Sequence, residues 1–142
     1  MTIVGIGVDL VKISRIHEMT ERWGHRFLDR VFTPTEQAYC LRRKFPPTHL
    51  SARFAVKEAM LKALGTGLRM GTRWTEIETI NNKAGKPEVK LWGRTGQIAA
   101  EKNVSEIFAS ITHDHDYSIA QVLLQGSEAV ASKKIKDSSD RY

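Results

Sequence analysis

The chain has 142 residues, 41% of them hydrophobic, which is enough for one domain with its own core. Its apolar runs fall well short of the roughly 18 residues of a membrane span, and no charged segment followed by an apolar one marks a secretory leader. Cys40 is the only cysteine, which excludes an internal disulfide and predicts a small packing residue. We therefore expect a cytoplasmic protein.

The balance of charged residues predicts an acidic or phosphorylated partner. The chain carries 22 Lys and Arg against 16 Asp and Glu, a formal net charge of +6. Such a charge favours nucleic acid, a phosphorylated cofactor or an acidic protein, and composition does not rank the three. A small nucleic-acid-binding module therefore stays open as an alternative, although no basic run is interleaved with aromatic residues.

The chain begins with a strand and an amphipathic helix. Residues 3–11 are apolar apart from two glycines and Asp9, which predicts a strand buried on both faces. Residues 13–31 carry apolar side chains near helical spacing and a series of arginines. They predict a helix with one basic side, interrupted at Gly24.

Two further helices are predicted from their end signals. Thr33, followed by a proline and by Glu36, is typical of an N-cap with a capping box, so the second helix begins near residue 34. Pro46-Pro47 is expected to end it. A third helix is predicted from about 50 to 64, and the glycines of segment 65–67 are expected to end that one.

The second half of the chain consists mainly of short segments rich in β-branched and aromatic residues. They predict four strands, at residues 74–80, 87–92, 105–112 and 117–124. A short helix is expected at 97–102. This order predicts an α+β fold, an antiparallel sheet packed with helices in one compact domain of residues 1–125. Residues 126–142 are polar and predict a mobile tail.

Two carboxylates lie in apolar surroundings, Asp9 in the first strand and Glu58 in the third helix. Burial of an ionised carboxylate without a partner is unfavourable, and a hard cation such as Mg²⁺ would supply one. Simpler roles stay open for both acids. Asp9 could cap the helix that follows, for which Ser14 is equally well placed, and Glu58 could form a surface ion pair with Lys62.

The segment His113-Asp114-His115-Asp116 contains residue types that bind metals. A solvated hairpin turn explains its last three residues equally well, and we favour that interpretation. His113 differs from them because it ends a strand, where its side chain can face a pocket.

These segments together resemble the holo-acyl-carrier-protein synthase family, in its order and at its spacing. The matching segments are Gly5 to Val11, Arg15-Ile16, Phe32 to Glu36, Ala52 to Ala59, Gly65-Thr66-Gly67, Gly85-Lys86-Pro87, Ser110 to His113 and Tyr117 to Val122. The resemblance implies the 4′-phosphopantetheinyl transferase fold. It also implies transfer of 4′-phosphopantetheine from coenzyme A to a serine of apo-acyl carrier protein, which activates the carrier for fatty acid biosynthesis and releases adenosine 3′,5′-bisphosphate.

The resemblance further assigns roles to single residues. Asp9 and Glu58 would hold Mg²⁺, Lys62 and His113 would contact phosphates, and these four would form the catalytic set. Glu58 itself or a metal-bound water would act as the general base, an alternative that the sequence leaves open. Contacts to coenzyme A would come from Arg53, Lys62, Gly65, Thr66, Gly67, Lys86, Pro87 and His113.

The partners implied by the resemblance are an acidic carrier protein and further copies of the chain. The carrier would dock on the first helix, at Arg15, Met19, Arg22, Arg26 and Phe27. Family members form homotrimers with active sites between subunits, which implies that His113 acts in a neighbour's site. Neither nucleic acid nor a membrane is implied. A coenzyme A sensor without catalytic activity stays open as a further alternative.

Overall fold

The computed structural model describes residues 1–127, so most of the expected tail lies outside the described residues. The elements, in chain order, are β1 (Thr2–Lys12), α1 (Ile13–Trp23), α2 (His25–Val31), α3 (Pro34–Leu41), α4 (Pro46–Leu64), β2 (Ile77–Asn81), β3 (Pro87–Leu91), α5 (Gly93–Glu101), β4 (Val104–His113) and β5 (Tyr117–Gly126). A 3₁₀ turn, Trp74–Glu76, precedes β2. Within the described range, no helix is long and apolar enough to span a membrane.

The strands form two antiparallel sheets. One has the order β1-β5-β4, and the other is the β2-β3 hairpin. Helix α4 packs on the three-stranded sheet, and the buried core lies largely between the two, with Val56 and Met60 fully buried on the helix. This arrangement confirms the α+β prediction. Cys40 is fully buried in the core as expected, and burial raises the pKa of its thiol to about 11.

Two glycines of β1 bring α4 into direct contact with the strand backbone. A Cβ atom at Gly5 would overlap the carbonyl oxygen of Ala63, and one at Gly7 would overlap that of Ala59. Side chains two residues apart on a strand share a face, so Asp9 lies on this same face. The close approach therefore places an acidic side chain of the strand directly beside the helix.

The prediction that β1 is buried on both faces is wrong. Ile6, Val8 and Leu10 are 58%, 57% and 57% exposed, whereas Asp9 and Val11 on the opposite face are buried. Helix α4 covers only one face of the three-stranded sheet in a single chain. An unbroken apolar run does not reveal whether its second face is covered by the same chain or by another molecule.

The predicted helix ends are confirmed where local chemistry sets them. Gly24 adopts a φ of 54° and separates α1 from α2, and Gly65 ends α4 in the left-handed conformation. Thr33 and Glu36 form the expected capping box at the start of α3. The hairpin turn is also as expected, since Asp114 Oδ1 accepts hydrogen bonds from two backbone N–H groups of the turn.

Several predicted boundaries are wrong. Helix α3 ends at Leu41, before the proline pair, and β2 begins at Ile77 because residues 74–76 form the 3₁₀ turn. Helix α4 begins at Pro46 and not near 50, because proline fits the first turn of a helix, where its missing N–H is not needed. Helix α5 begins at Gly93 and not at 97. Neither Asp9 nor Ser14 caps α1: Lys12 occupies the N-cap position without a side-chain bond.

Candidate functional site

Asp9 and Lys62 form an ion pair between β1 and α4. Lys62 Nζ donates to Asp9 Oδ1 at 2.9 Å and to the carbonyl oxygen of Val8 at 3.2 Å. The Asp9 side chain is buried, whereas that of Lys62 is 57% exposed, so the ammonium lies at the mouth of the site. Its hydrogen bond to Asp9 raises the pKa of Lys62. Lys62 therefore pairs with Asp9 and not with Glu58, contrary to the surface ion pair that the sequence left open.

The second oxygen of Asp9 lacks a partner. Asp9 Oδ2 is buried and accepts no hydrogen bond from the described residues. Burial, followed by the neighbouring Asp9 carboxylate, raises the pKa of Glu58 to about 7, although Lys62 and Arg15 act in the opposite direction. The carboxylates of Asp9 and Glu58 repel each other where both are partly shielded from water, and a cation between them would stabilise their charged forms.

The donor set fits Mg²⁺ only in part. Asp9 and Glu58 supply the carboxylate oxygens that this ion prefers, and the unpartnered Oδ2 offers a free lone pair. Within residues 1–127, no group of three or more His, Cys, Asp or Glu could hold a metal. The pair therefore fits a cation that completes its coordination with phosphate oxygens or water.

The raised pKa of Glu58 predicts a stabilising effect of its replacement. Unfolding exposes the carboxyl and returns its pKa from about 7 to about 4.5, so Glu58 destabilises the fold increasingly as pH rises from 4.5 to 7. We expect Glu58→Gln to raise the free energy of unfolding of the metal-free protein by about 1 kcal/mol at pH 8, a value reduced for the side chain's partial exposure.

Urea denaturation at pH 8 and at about pH 4 measures this effect. The stabilisation should vanish at the lower pH, where the carboxyl is protonated in both the folded and the unfolded state. Equal stability of Glu58→Gln and the wild type at pH 8 would show that neither burial nor Asp9 raises the pKa of Glu58 in the folded protein.

A second feature is a cavity of about 350 Å³ between helices α3 and α4 and the β2-β3 hairpin. The ring of Tyr39 lies between the guanidinium groups of Arg43, at 4.0 Å, and Arg53, at 4.3 Å. Arg53 is 3% exposed, and its Nε has no partner among the described residues. Two guanidinium groups around an aromatic ring suit a phosphorylated nucleotide. The sequence indicated Arg53, but it did not indicate Tyr39, or Arg43 four residues after it, as neighbours of Arg53.

Other residues indicated by the sequence lie apart from these two features. His113, at the end of β4, lines a cleft with Phe45 and Thr48. In the described part of the chain, no hydrogen bond or ion pair joins it to Asp9 or Lys62. The other residues predicted to contact coenzyme A lie in two places. Lys86 and Pro87 line a cleft against β4, and Gly65, Thr66 and Gly67 follow the end of α4.

Three of the five predicted docking residues line a groove on α1 and α2. Met19, Arg26 and Phe27 line it together with Trp23 and Arg30, while Arg15 and Arg22 are exposed on the same pair of helices. Trp23, which the sequence did not indicate, is 41% exposed, and the guanidinium groups of Arg22 and Arg26 lie 5.1 and 5.7 Å from its ring. Its position just before the helix-breaking Gly24 was the feature of the sequence that could have indicated Trp23 as part of this surface.

Comparison with known proteins gives consistent matches. The model of the 4′-phosphopantetheinyl transferase superfamily matches residues 5–122. The holo-[acyl-carrier-protein] synthase of Geotalea daltonii is 45% identical over 123 residues, which cover 87% of this chain and 98% of that protein. The enzyme of the same name from Protochlamydia amoebophila is 45% identical over 117 residues, covering 82% and 93%.

Solved structures share the fold. Holo-[acyl-carrier-protein] synthase from Neisseria meningitidis matches with a TM-score of 0.81 and 31% identity, over 87% of this chain and 99% of that one. The Helicobacter pylori protein in complex with coenzyme A matches with a TM-score of 0.75 and 29% identity, over 84% and 99%. With sequence and fold similar over most of its length, the chain belongs to the 4′-phosphopantetheinyl transferase superfamily, as a member of the holo-[acyl-carrier-protein] synthases.

Proposed function

We propose that this transferase moves 4′-phosphopantetheine from coenzyme A to a serine hydroxyl of apo-acyl carrier protein and so activates the carrier for fatty acid biosynthesis. The observation that carries the proposal is the buried Asp9 carboxylate, with one oxygen bound to Lys62, the other unpartnered, and Glu58 beside it. The relatives of known structure that contain coenzyme A support the substrate.

In the proposed reaction, the serine oxygen bonds to the pantetheine-side phosphorus, and the bond from that phosphorus to the oxygen bridging the two phosphates breaks. Adenosine 3′,5′-bisphosphate leaves. The exposed Lys62 ammonium would hold a phosphoryl oxygen as negative charge builds on it. The serine proton would pass to the Glu58 carboxylate or to a water beside it. Mg²⁺ held by Asp9 and Glu58 would supply further neutralisation of the phosphate charge.

Mass spectrometry of an apo-carrier protein incubated with this protein, coenzyme A and Mg²⁺ tests the proposal. We expect the carrier to gain the mass of one phosphopantetheine arm, and to gain nothing when Mg²⁺ is chelated. An unchanged carrier mass would overturn the proposed activity. Coenzyme A binding without transfer would favour a sensor, and salt-sensitive RNA or DNA binding without coenzyme A binding would favour the nucleic-acid alternative.

We further propose that the groove on α1 and α2 binds the acidic carrier protein. Arg15, Arg22 and Arg26 supply positive charge, and Met19 and Phe27 supply apolar contacts. Complementary charge across such a surface mainly increases the rate of association, so carrier binding should weaken as salt is added.

The carrier surface is tested by reversing one charge. We expect Arg22→Glu to raise the KM for the carrier about tenfold, because it places like charges face to face, and to leave the KM for coenzyme A nearly unchanged. Initial rates with each substrate varied in turn measure the two constants. Lys102→Glu, the same charge change at an exposed position beyond α5, is the control and should alter neither. Equal losses for both substrates in Arg22→Glu would contradict docking on this helix.

Finally, we propose that the chain forms a homotrimer with active sites between subunits. The uncovered face of the three-stranded sheet supports this, because its apolar side chains are 38–58% exposed: Ile6, Val8, Leu10, Phe108 and Ile119. A contiguous apolar face of this kind indicates a protein interface. Among the described residues no hydrogen bond or ion pair joins His113 to Asp9, which also supports a site completed by the partner subunit's His113.

A further inference from the structure

Lys57 is adjacent to Glu58 in sequence, but its side chain is fully buried in the core. Its Nζ donates to Glu36 Oε1 at 2.7 Å, to the carbonyl oxygen of Trp74 at 3.1 Å and to that of Ile77. A lysine ammonium carries three protons, so each has an acceptor within the protein. No donor of Lys57 is left for a substrate phosphate, and its role must be indirect.

Glu36 is equally buried and joins further parts of the chain. Its Oε1 also accepts from the backbone N–H of Thr33 at 3.0 Å, and its Oε2 accepts from that of Thr79 at 3.0 Å. The Lys57–Glu36 pair thus connects the start of α3, the middle of α4 and the first residues of β2. Buried ion pairs often stabilise a fold no better than apolar residues of the same size, so stability alone does not account for this one.

The pair is linked to the cavity that contains Arg53 through Thr79, which lines the cavity and donates its backbone N–H to Glu36. Strand β2 leaves the pair at Thr79 and continues into the Asn81–Gly85 wall of the cavity. Arg53, one helical turn before Lys57, and Tyr39 form the opposite wall. The two walls meet again where Asn81 Nδ2 donates to Tyr39 Oη at 2.8 Å. The separation of the walls is therefore fixed by the Lys57–Glu36 pair on one side and by the Asn81–Tyr39 bond on the other.

We propose that Lys57 and Glu36 are positioning residues that hold the β2-β3 hairpin at a fixed distance from Arg53, so that the cavity is preformed for the nucleotide part of coenzyme A. The inference rests on the proposed function. The unpartnered, buried Nε of Arg53 independently indicates that this wall of the cavity receives a ligand. When the cavity is preformed, no free energy of binding is lost in ordering its walls. Loss of the Lys57–Glu36 pair should therefore weaken the binding of coenzyme A.

The test removes both charges at once. Lys57→Met alone would leave Glu36 charged and unpaired in the core, which is strongly destabilising. The double variant Glu36→Gln/Lys57→Met keeps side-chain size and an acceptor oxygen at position 36. We expect its Kd for coenzyme A, measured by calorimetry, to rise about tenfold, while kcat at saturating coenzyme A and the KM for the carrier stay within about twofold.

Val122→Ala is the matched control, because Val122 is fully buried in β5, away from the cavity, and its truncation costs stability without touching the hairpin. Its Kd for coenzyme A should equal that of the wild type. If the double variant does not fold, Glu36→Asp is used, because it keeps the charge balance of the pair while the shorter side chain can no longer reach Lys57 and Thr79 together; the expected rise in Kd is about threefold.

An unchanged Kd in the double variant, or in Glu36→Asp when it takes the place of the double variant, would overturn the inference. An equal rise in Val122→Ala would do the same. Wild-type protein that binds coenzyme A but leaves the carrier mass unchanged would overturn the proposed function alone, because the Kd comparison still decides the role of Lys57 and Glu36. Wild-type protein that does not bind coenzyme A would overturn both.

Discussion

Asp9→Asn is expected to lower kcat for phosphopantetheine transfer by about a thousandfold or more, because it removes one of two charges that would hold the cation against the phosphates. The substitution keeps the shape of the side chain, and the amide oxygen can still accept the hydrogen bond from Lys62. The fold should therefore survive. Steady-state rates at rising Mg²⁺ concentration measure the loss, which excess Mg²⁺ should restore only in part.

Asp116→Asn is the matched control, because it makes the same chemical change at an exposed position of the hairpin turn. Its kcat should equal that of the wild type. Near wild-type turnover by Asp9→Asn would remove Asp9 from the metal site. A comparable loss in Asp116→Asn would instead assign the sensitivity to the hairpin turn.

The parts of the fold that sequence predicts well are those set by neighbouring residues. The capping box at Thr33 and Glu36 and the left-handed Gly65 involve groups only a few residues apart, so their chemistry is visible in the printed chain. The role of the proline pair at Pro46 was predicted wrongly, because it does not depend on neighbouring residues alone. Proline can end one helix or begin the next, and the choice depends on where the following residues pack; here α3 already ends at Leu41, and Pro46 begins α4.

The pair Asp9 and Glu58 could be found from sequence because each lies in an apolar segment, where a charge is conspicuous. The geometry between them could not, since it depends on how far α4 approaches β1. That distance is set by Gly5 and Gly7, which remove the side chains that would hold the helix away. The same contact gives Lys62 its partner on the strand and not on its own helix.

The buried pair of Lys57 and Glu36, in contrast, could not be predicted from the sequence. Charged residues are almost never fully buried unless they are paired, so sequence favours a solvent-exposed position for both. Most of their partners lie far away along the chain: Glu36 and Ile77 are 21 and 20 residues from Lys57, and Thr79 is 43 residues from Glu36. Only the packing of α3 and β2 against α4 reveals the pair.

Ile6→Glu is expected to dissociate the proposed trimer into monomers. Ile6 is 58% exposed on the uncovered sheet face, so a single chain tolerates a charge there, whereas an interface would bury that charge without a partner. Light scattering of the purified protein gives the molecular mass before and after the change. Transfer activity should fall about a hundredfold or more, because each site would lose the phosphate contacts that a neighbouring subunit would supply in the proposed trimer.

Lys90→Glu separates this effect from a general effect of negative charge, because Lys90 is exposed on β3, in the other sheet. That variant should remain trimeric. Excess coenzyme A should not restore Ile6→Glu, because the partner subunit's His113 would be absent from the site however much substrate is bound. A wild-type protein that is active as a monomer, or full activity of monomeric Ile6→Glu, would place the whole site within one chain. The apolar sheet face would then need a different partner.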